Sequence, residues 1–233
     1  MKAQFTLLKD LLSLFYPHLC AACGERTPPR GQVVCVSCLY KLPKTNFHLH
    51  KENLFTERFW GRLPLEAGAS FFYFNKGSRV QQLIHRLKYK NKQEIGVQMG
   101  RLYGQELLQS SIFNQVDLIV PVPLHPKKEW ARGYNQSALI ARGLSESMNK
   151  PWLQKGLQRR VHAESQTRKS REERLDNISR AFSIGDADAL RGKHVLLVDD
   201  VLTTGATLEA CGLCLLEVPD VRLSMATLAM TMD

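Results

Sequence analysis

Hydrophobic and polar positions follow a repeating plan from about residue 65 onward: short apolar runs separated by segments whose apolar residues recur at helical spacing. Ala69–Phe74 is an apolar, aromatic run and predicts a strand. Gly77–Tyr89 carries Val80, Leu83, Ile84 and Leu87, the spacing of one helix face. Glu94–Leu108 predicts a second helix. Val116–Val122 predicts a buried strand, ended by Pro121 and Pro123. Asn135–Met148 is helical in pattern. Val195–Val198 is a fully apolar strand running into two aspartates, Leu208–Glu217 a helix, and Val221–Leu228 a last strand. Buried strands separated by helices predict an α/β fold, a parallel sheet with helices on both faces.

The first 64 residues break this plan. Residues 1–45 hold four of the six cysteines and are punctuated by Pro17, Pro28, Pro29 and Pro43. Residues 46–64, with His48, His50, Phe55, Phe59 and Trp60, read as a linker or cover segment. The expected organisation is therefore a small module over 1–45, a cover over 46–64 and the α/β domain over 65–233. The run from Phe5 to Tyr16 is interrupted by Lys9 and Asp10, and no small-residue cleavage site follows. It predicts a short amphipathic helix rather than a signal peptide. Apolar stretches stay short of the roughly 18 residues that span a bilayer, so a soluble, cytoplasmic protein is expected.

Composition adds one feature to this picture. The 233 residues carry 32 Lys and Arg against 22 Asp and Glu, a formal net charge of +10. Solvated Lys and Arg need no partner. The same charge also suits a polyanion, either nucleic acid or a multiply phosphorylated small molecule.

Cys20-Ala-Ala-Cys23 and Cys35-Val-Ser-Cys38 are two CxxC pairs with eleven residues between them. Each pair presents two thiolates from one tight turn, and two facing turns make the tetrahedral sulfur cage that Zn²⁺ accepts. Disulfides are disfavoured in a reducing compartment. Structural zinc on Cys20, Cys23, Cys35 and Cys38 is the expectation; iron–sulfur ligation and an unmetallated remnant are the alternatives. Cys211 and Cys214 repeat the spacing inside a helix among Leu213, Leu215 and Leu216, where cysteine packs as a small apolar residue.

The strand Val195–Val198 runs into Asp199-Asp200, then Thr203-Thr204-Gly205-Ala206-Thr207 and a helix. Ligands of open α/β sheets bind at the carboxyl ends of strands. Threonine hydroxyls and backbone N–H groups opening a helix cradle an anion. The carboxylates suit ribose hydroxyls and a nearby Mg²⁺. No GxxxxGK[ST] and no GxGxxG is present. A plain strand-to-helix turn with a threonine cap would leave the acidic pair unexplained.

Val195–Thr207 resembles the 5-phosphoribosyl-1-pyrophosphate (PRPP) signature of type I phosphoribosyltransferases. The resemblance implies that fold for the α/β domain. It also implies that Asp199 and Asp200 bind the ribose 2′- and 3′-hydroxyls and that Thr203, Thr204, Gly205, Ala206 and Thr207 hold the 5-phosphate. Further blocks are Leu83–Tyr89, Asp117–Pro126, Arg132-Gly133-Tyr134-Asn135-Gln136 and Gln166–Arg174. In this order, behind a CxxC…CxxC ribbon, they resemble the ComF family, which is linked to DNA uptake in natural competence and to use of extracellular DNA as a nutrient. By the same resemblance Pro123, Leu124, His125, Lys127, Lys128 and Arg132 form a pyrophosphate loop; a proline-fixed loop with solvated lysines is the plainer alternative. Arg168, Lys169 and Arg171 belong to the segment expected to close over the reaction centre, or to a solvated helix face opened by the capping box Ser170-Arg171-Glu172-Glu173. Lys88 and Lys90 stand over the substrate or on a nucleic-acid surface. The resemblance thus implies a Mg²⁺-dependent phosphoribosyltransferase with an unassigned acceptor. The competing expectation is a non-catalytic module of DNA uptake that binds single-stranded DNA, with a ribbon that binds DNA or a helicase and a pocket that binds a nucleotide or senses PRPP.

Overall fold

The structure, a computed structural model, describes residues 18–160 and 181–232. The predicted helix Phe5–Tyr16 and the basic segment with Arg168, Lys169 and Arg171 lie outside the described residues. The helices are α1 (Val36–Lys41), α2 (Leu54–Glu57), α3 (Arg79–Tyr89), α4 (Gln93–Leu107), α5 (Pro126–Arg132), α6 (Gln136–Met148), α7 (Ala187–Leu190) and α8 (Ala206–Leu216). The strands are β1 (Ala67–Phe74), β2 (Leu118–Pro121), β3 (Leu157–Arg159), β4 (Phe182–Ile184), β5 (His194–Leu202) and β6 (Arg222–Thr231).

Four strands form a sheet in the order β1-β6-β5-β2, with every pairing parallel, as the buried apolar runs predict. β3 and β4 pair antiparallel outside it. The chain moves one way from β1 to β2 and on through α6 to Trp152, which bridges Ile119 of β2 in parallel on the side away from β5, and the opposite way from β5 to β6. Right-handed crossovers then place α3, α4 and α6 on one face and α8 on the other. α4 and α6 approach through small residues: a Cβ on Gly100 would lie 2.3 Å from the Ile140 carbonyl, and one on Gly143 2.1 Å from the Val97 carbonyl. Glycine at both positions is what permits backbone-to-backbone contact there. On the opposite face, Gly212 of α8 sits against Met225 and Leu223 of β6.

The core is continuous from the cysteine module to β6. Pro43–Thr45 docks on the free edge of β1: Tyr73 N–H donates to the Pro43 carbonyl at 2.9 Å and Thr45 N–H to the Phe71 carbonyl at 3.1 Å. That edge, otherwise open, is thereby covered. Asn53 caps α2 in a reciprocal capping box with Thr56 and also donates to the Gly68 carbonyl at 3.0 Å, fixing the cover segment on β1.

Besides the β3–β4 hairpin, which no pattern predicts, two features differ from the sequence expectation. β5 does not stop at Val198 but continues through the acidic pair to Leu202, because β6 keeps pairing with it at Asp199↔Thr227, Val201↔Ala229 and Leu202↔Met230. Its other neighbour, β2, ends at Pro121↔Val198, where prolines take over. The segment expected as a loop after β2 contains the helix α5, because Pro126 occupies its first turn and His125 caps it.

Candidate functional site

The sheet loses a strand on one side of β5 at the point where Asp199 and Asp200 begin. The helices that follow β2 lie on one face and the helix that follows β5 on the other. A crevice opens between such strands at their carboxyl ends. The acidic pair stands on its floor.

Successive strand residues point to opposite faces, and the two carboxylates have different company. Asp200, 7% exposed, accepts from Lys88 Nζ at 2.9 Å and from Gln136 Nε2 at 3.1 Å. Asp199 accepts from Ser137 Oγ at 2.7 Å and from the Asp200 backbone N–H at 2.8 Å. Burial pushes the Asp199 carboxyl up to about 7, with the neighbouring Asp200 charge adding to the rise; Ser137, the Asp200 amide and Lys88 act against it. Gln136 and Ser137 are the first residues of α6, so one helix start grips both acids.

Beside Asp199 lies a hollow of about 50 Å³ lined by Val201 to Leu208. Gly205 has φ +83°, a left-handed conformation suited to glycine, and opens α8. The Thr203, Thr204 and Thr207 side chains are exposed at its rim. The hollow therefore joins hydroxyls and helix-start N–H groups, an anion cradle of phosphate scale. The cover segment supports it from behind. The Arg58 guanidinium donates to the Thr203 carbonyl, Phe59 lies against Gly205 (a Cβ there would meet its ring at 3.1 Å), and Arg62 pairs with Glu209.

On the Asp200 side is a larger cleft of about 610 Å³, lined by Lys88, Tyr89, Asn91, Lys128, Ala131, Arg132 and Tyr134. Of the residues expected in a pyrophosphate loop, Lys128 and Arg132 reach this cleft. Pro123 and Leu124 lie outside its lining, and Lys127 points to solvent on α5. His125 acts locally: its Nδ1 accepts from the Lys127 backbone N–H at 3.2 Å, a helix cap. The Arg132 guanidinium sits 5.4 Å over the Tyr89 ring.

Each residue of Arg132–Gln136, a family marker in the sequence, has a task in the structure. Gly133 ends α5 at φ +81°. The Tyr134 hydroxyl donates to the Leu87 carbonyl. Asn135 caps α6 and donates to the Val122 carbonyl at 2.9 Å. Gln136 reaches Asp200. Gln136, Ser137, Arg58 and Phe59 were not expected as site residues because they join it from two segments far from the acidic pair in sequence, whereas Lys88, expected over a substrate or on a nucleic-acid surface, pairs with Asp200. The order of the blocks was the available signal.

The four expected cysteines converge, with sulfurs within 4.8 Å of one another. Cys35 is the N-cap of α1 and Cys38 lies in its first turn. Cys20 Sγ accepts from the Cys35 N–H at 3.2 Å and the Ala22 N–H at 3.4 Å. Backbone hydrogen bonds hold the Cys23 thiol down at about 6, while burial pushes Cys38 up. The donor set and its N–H···S bonds fit zinc. Cys211 and Cys214 are buried on α8, the second pushed up to about 11 by burial.

Fold and crevice together define a parallel α/β domain with a candidate ligand site at its strand ends, carrying a four-cysteine module. No family model matches the chain. It is 30% identical over 200 residues to the DNA utilization protein YhgH of Escherichia coli, covering 84% of this chain and 83% of that protein. It is 35% identical over 131 residues to competence protein F of Haemophilus influenzae, covering 54% and 57%. It is 27% identical over 205 residues to competence protein ComFC of Bacillus subtilis, covering 86% and 72%. The chain belongs to the ComF family. Among solved structures, the glutamine PRPP amidotransferase of Bacillus subtilis complexed with ADP and GMP aligns with 56% of this chain and 25% of its own length, at a TM-score of 0.39 and 20% identity. Among the described residues no helix is long and apolar enough to cross a membrane.

Proposed function

We propose that this protein binds PRPP with Mg²⁺ and transfers its phosphoribosyl group, within the DNA-utilisation role that its relatives' names describe. The observation that carries this reading is the pairing of Asp199 with the anion hollow at Thr203–Thr207, one turn of chain apart at a strand's carboxyl end. The hollow takes the 5-phosphate and the carboxylates accept from the ribose hydroxyls. Lys88, Lys128 and Arg132 meet the pyrophosphate from the larger cleft. Mg²⁺ would be held by ligand oxygens near the acidic pair and would neutralise charge on the leaving group. The carboxylate oxygens already accept from Lys88, Gln136 and Ser137, which suits them to hydroxyl donors.

In the proposed reaction a ring nitrogen of the acceptor bonds to C1 while the bond from C1 to the pyrophosphate oxygen breaks. The protein's share is positioning and charge stabilisation. Pyrophosphate release from PRPP, measured across a panel of nucleobases, tests transfer directly. Release with one base that is lost in Asp199→Asn/Asp200→Asn supports it; no release with any base, despite binding, restricts the site to recognition.

A second reading rests on a separate observation. Trp130 is 89% exposed and Tyr89 64% exposed, beside Lys127, Lys128 and Arg132. Aromatic faces among cations suit stacked bases on a phosphate backbone. Filter binding of single-stranded DNA across salt tests it: affinity that falls steeply with salt supports the reading, and negligible affinity at low ionic strength rejects it.

A further inference from the structure

Three consecutive residues at the end of α3 each hold a different part of the molecule. The Arg86 guanidinium donates to the Cys20 carbonyl at 2.7 Å. The Leu87 carbonyl accepts from the Tyr134 hydroxyl, at the start of the segment that grips the acidic pair. Lys88 donates to Asp200 at 2.9 Å. At a rise of about 1.5 Å per residue these three anchors lie within one helical turn, so displacement of one is felt at the others.

The Cys20 end of this connection is tightly built. The Cys20 carbonyl also accepts from the Gly24 N–H at 2.8 Å, closing the turn that presents Cys20 and Cys23. Arg86 fills the space over that turn: a Cβ on Gly24 would lie 2.9 Å from its Nη2. The second cysteine turn is tied separately, to α4. Gln98 accepts from the Val33 N–H at 2.5 Å and donates to the Gly31 carbonyl at 3.1 Å. Of these two tethers of the cysteine turns, the one through Arg86 leads to the crevice.

We infer that Arg86 is a positioning residue that links the four-cysteine cage to the ribose crevice, so that metal held by the cage and PRPP held by the crevice stabilise one another. The link rests on the PRPP reading above and on the fit of the four thiols to zinc. A loaded cage fixes the Cys20 carbonyl, the carbonyl fixes Arg86, and the last turn of α3 then presents Lys88 at a set distance from Asp200. A ligand in the crevice engages Lys88 and Asp200 and restrains the same turn from its other end. Such coupling is reciprocal by thermodynamic necessity.

The test uses the zinc-loaded full-length chain. Zinc loss to a chromogenic chelator is timed with and without saturating PRPP and Mg²⁺, and PRPP binding is measured in parallel by calorimetry. In the native protein PRPP slows zinc loss about fivefold or more, the lower end of coupling between linked sites. In Arg86→Ala this protection disappears, although one zinc per chain is still bound. Gln98→Ala also speeds zinc loss but keeps the protection, because its tether bypasses Lys88. If Arg86→Ala does not fold, Arg86→Lys, which keeps one donor, shows reduced protection. PRPP binding without any effect on native zinc loss overturns the link, as does equal protection in the native and Arg86 variants. Absence of PRPP binding by the native protein is a different failure: it removes the phosphoribosyl reading and the link with it.

Discussion

The two cavities flanking the acidic pair are built by opposite means. The small hollow at Thr203–Thr207 is made of one continuous stretch of chain: a strand end, a left-handed glycine and a helix start. The large cleft is made of long side chains, with Lys88 and Tyr89 from α3 and Lys128 and Arg132 from α5. A hollow made of backbone and short hydroxyls has little freedom to reshape and suits one ligand group. A cleft of cations and aromatic rings adapts to what enters it. Under the proposed function, specific recognition of a phosphoribosyl group belongs to the first, and tolerance for different polyanions to the second.

This contrast is open to direct challenge. The largest expected effect is that of Asp199→Asn with Asp200→Asn, which replaces two charge-assisted acceptors by neutral ones. PRPP affinity should fall about a hundredfold or more, measured by calorimetry, while single-stranded DNA binding is retained. Parallel loss of both would show that the cavities are a single site.

Next is Trp130→Ala. The residue is almost wholly exposed, so thermal stability should stay within about 0.5 kcal/mol of native. Single-stranded DNA binding should weaken by about 1–3 kcal/mol, and unchanged DNA affinity would remove stacking on Trp130 from the DNA reading. Gly205→Ala sharpens the other half. Its φ of +83° and the Phe59 contact should cost about 1–2 kcal/mol of stability, seen in denaturant unfolding, with weaker PRPP binding and little change in DNA binding.

The acidic pair also predicts a pH dependence. The Asp199 carboxyl rises from an ordinary 3.8 to about 7 in the fold, so the native state holds this proton more tightly than the unfolded chain. Its contribution to stability is therefore largest at low pH and declines as pH rises from about 4 to about 7. A ribose hydroxyl donates to the ionised form, so PRPP affinity should rise with pH through about 7 and level off above it. Proton release on binding, read from calorimetry in buffers of different ionisation enthalpy, checks the sign and should vanish in Asp199→Asn. The smallest effect is expected from Lys128→Ala, which should reduce the salt slope of DNA binding by about one.

The contrast between the cavities also decides what could be read from sequence. The parallel sheet followed from apolar runs at β1, β2, β5 and β6, and the cysteine cage and phosphate hollow from spacing within short segments. The end of β5 was misplaced because Asp199 and Asp200 look like a strand terminus, whereas pairing with β6 carries the strand past them. The helix α5 was read as a loop because Pro121, Pro123 and Pro126 signal turns, although Pro126 is compatible with a first helical turn. The β3–β4 hairpin was missed, since three-residue strands carry little periodicity. The grip on the acidic pair was hidden for a topological reason: Gln136 and Ser137 reach Asp200 and Asp199 across more than sixty residues of chain, and Lys88, legible as a basic residue near the substrate, showed no sign of its partner Asp200.

The central claim is that the crevice at Asp199, Asp200 and Thr203–Thr207 recognises PRPP. Calorimetric titration of PRPP and Mg²⁺ into the zinc-loaded protein tests it most directly. One equivalent should bind, and the heat should be lost in Asp199→Asn/Asp200→Asn while that variant keeps its native fold. Absence of binding heat from the native protein at several temperatures, or undiminished binding by the variant, would contradict it.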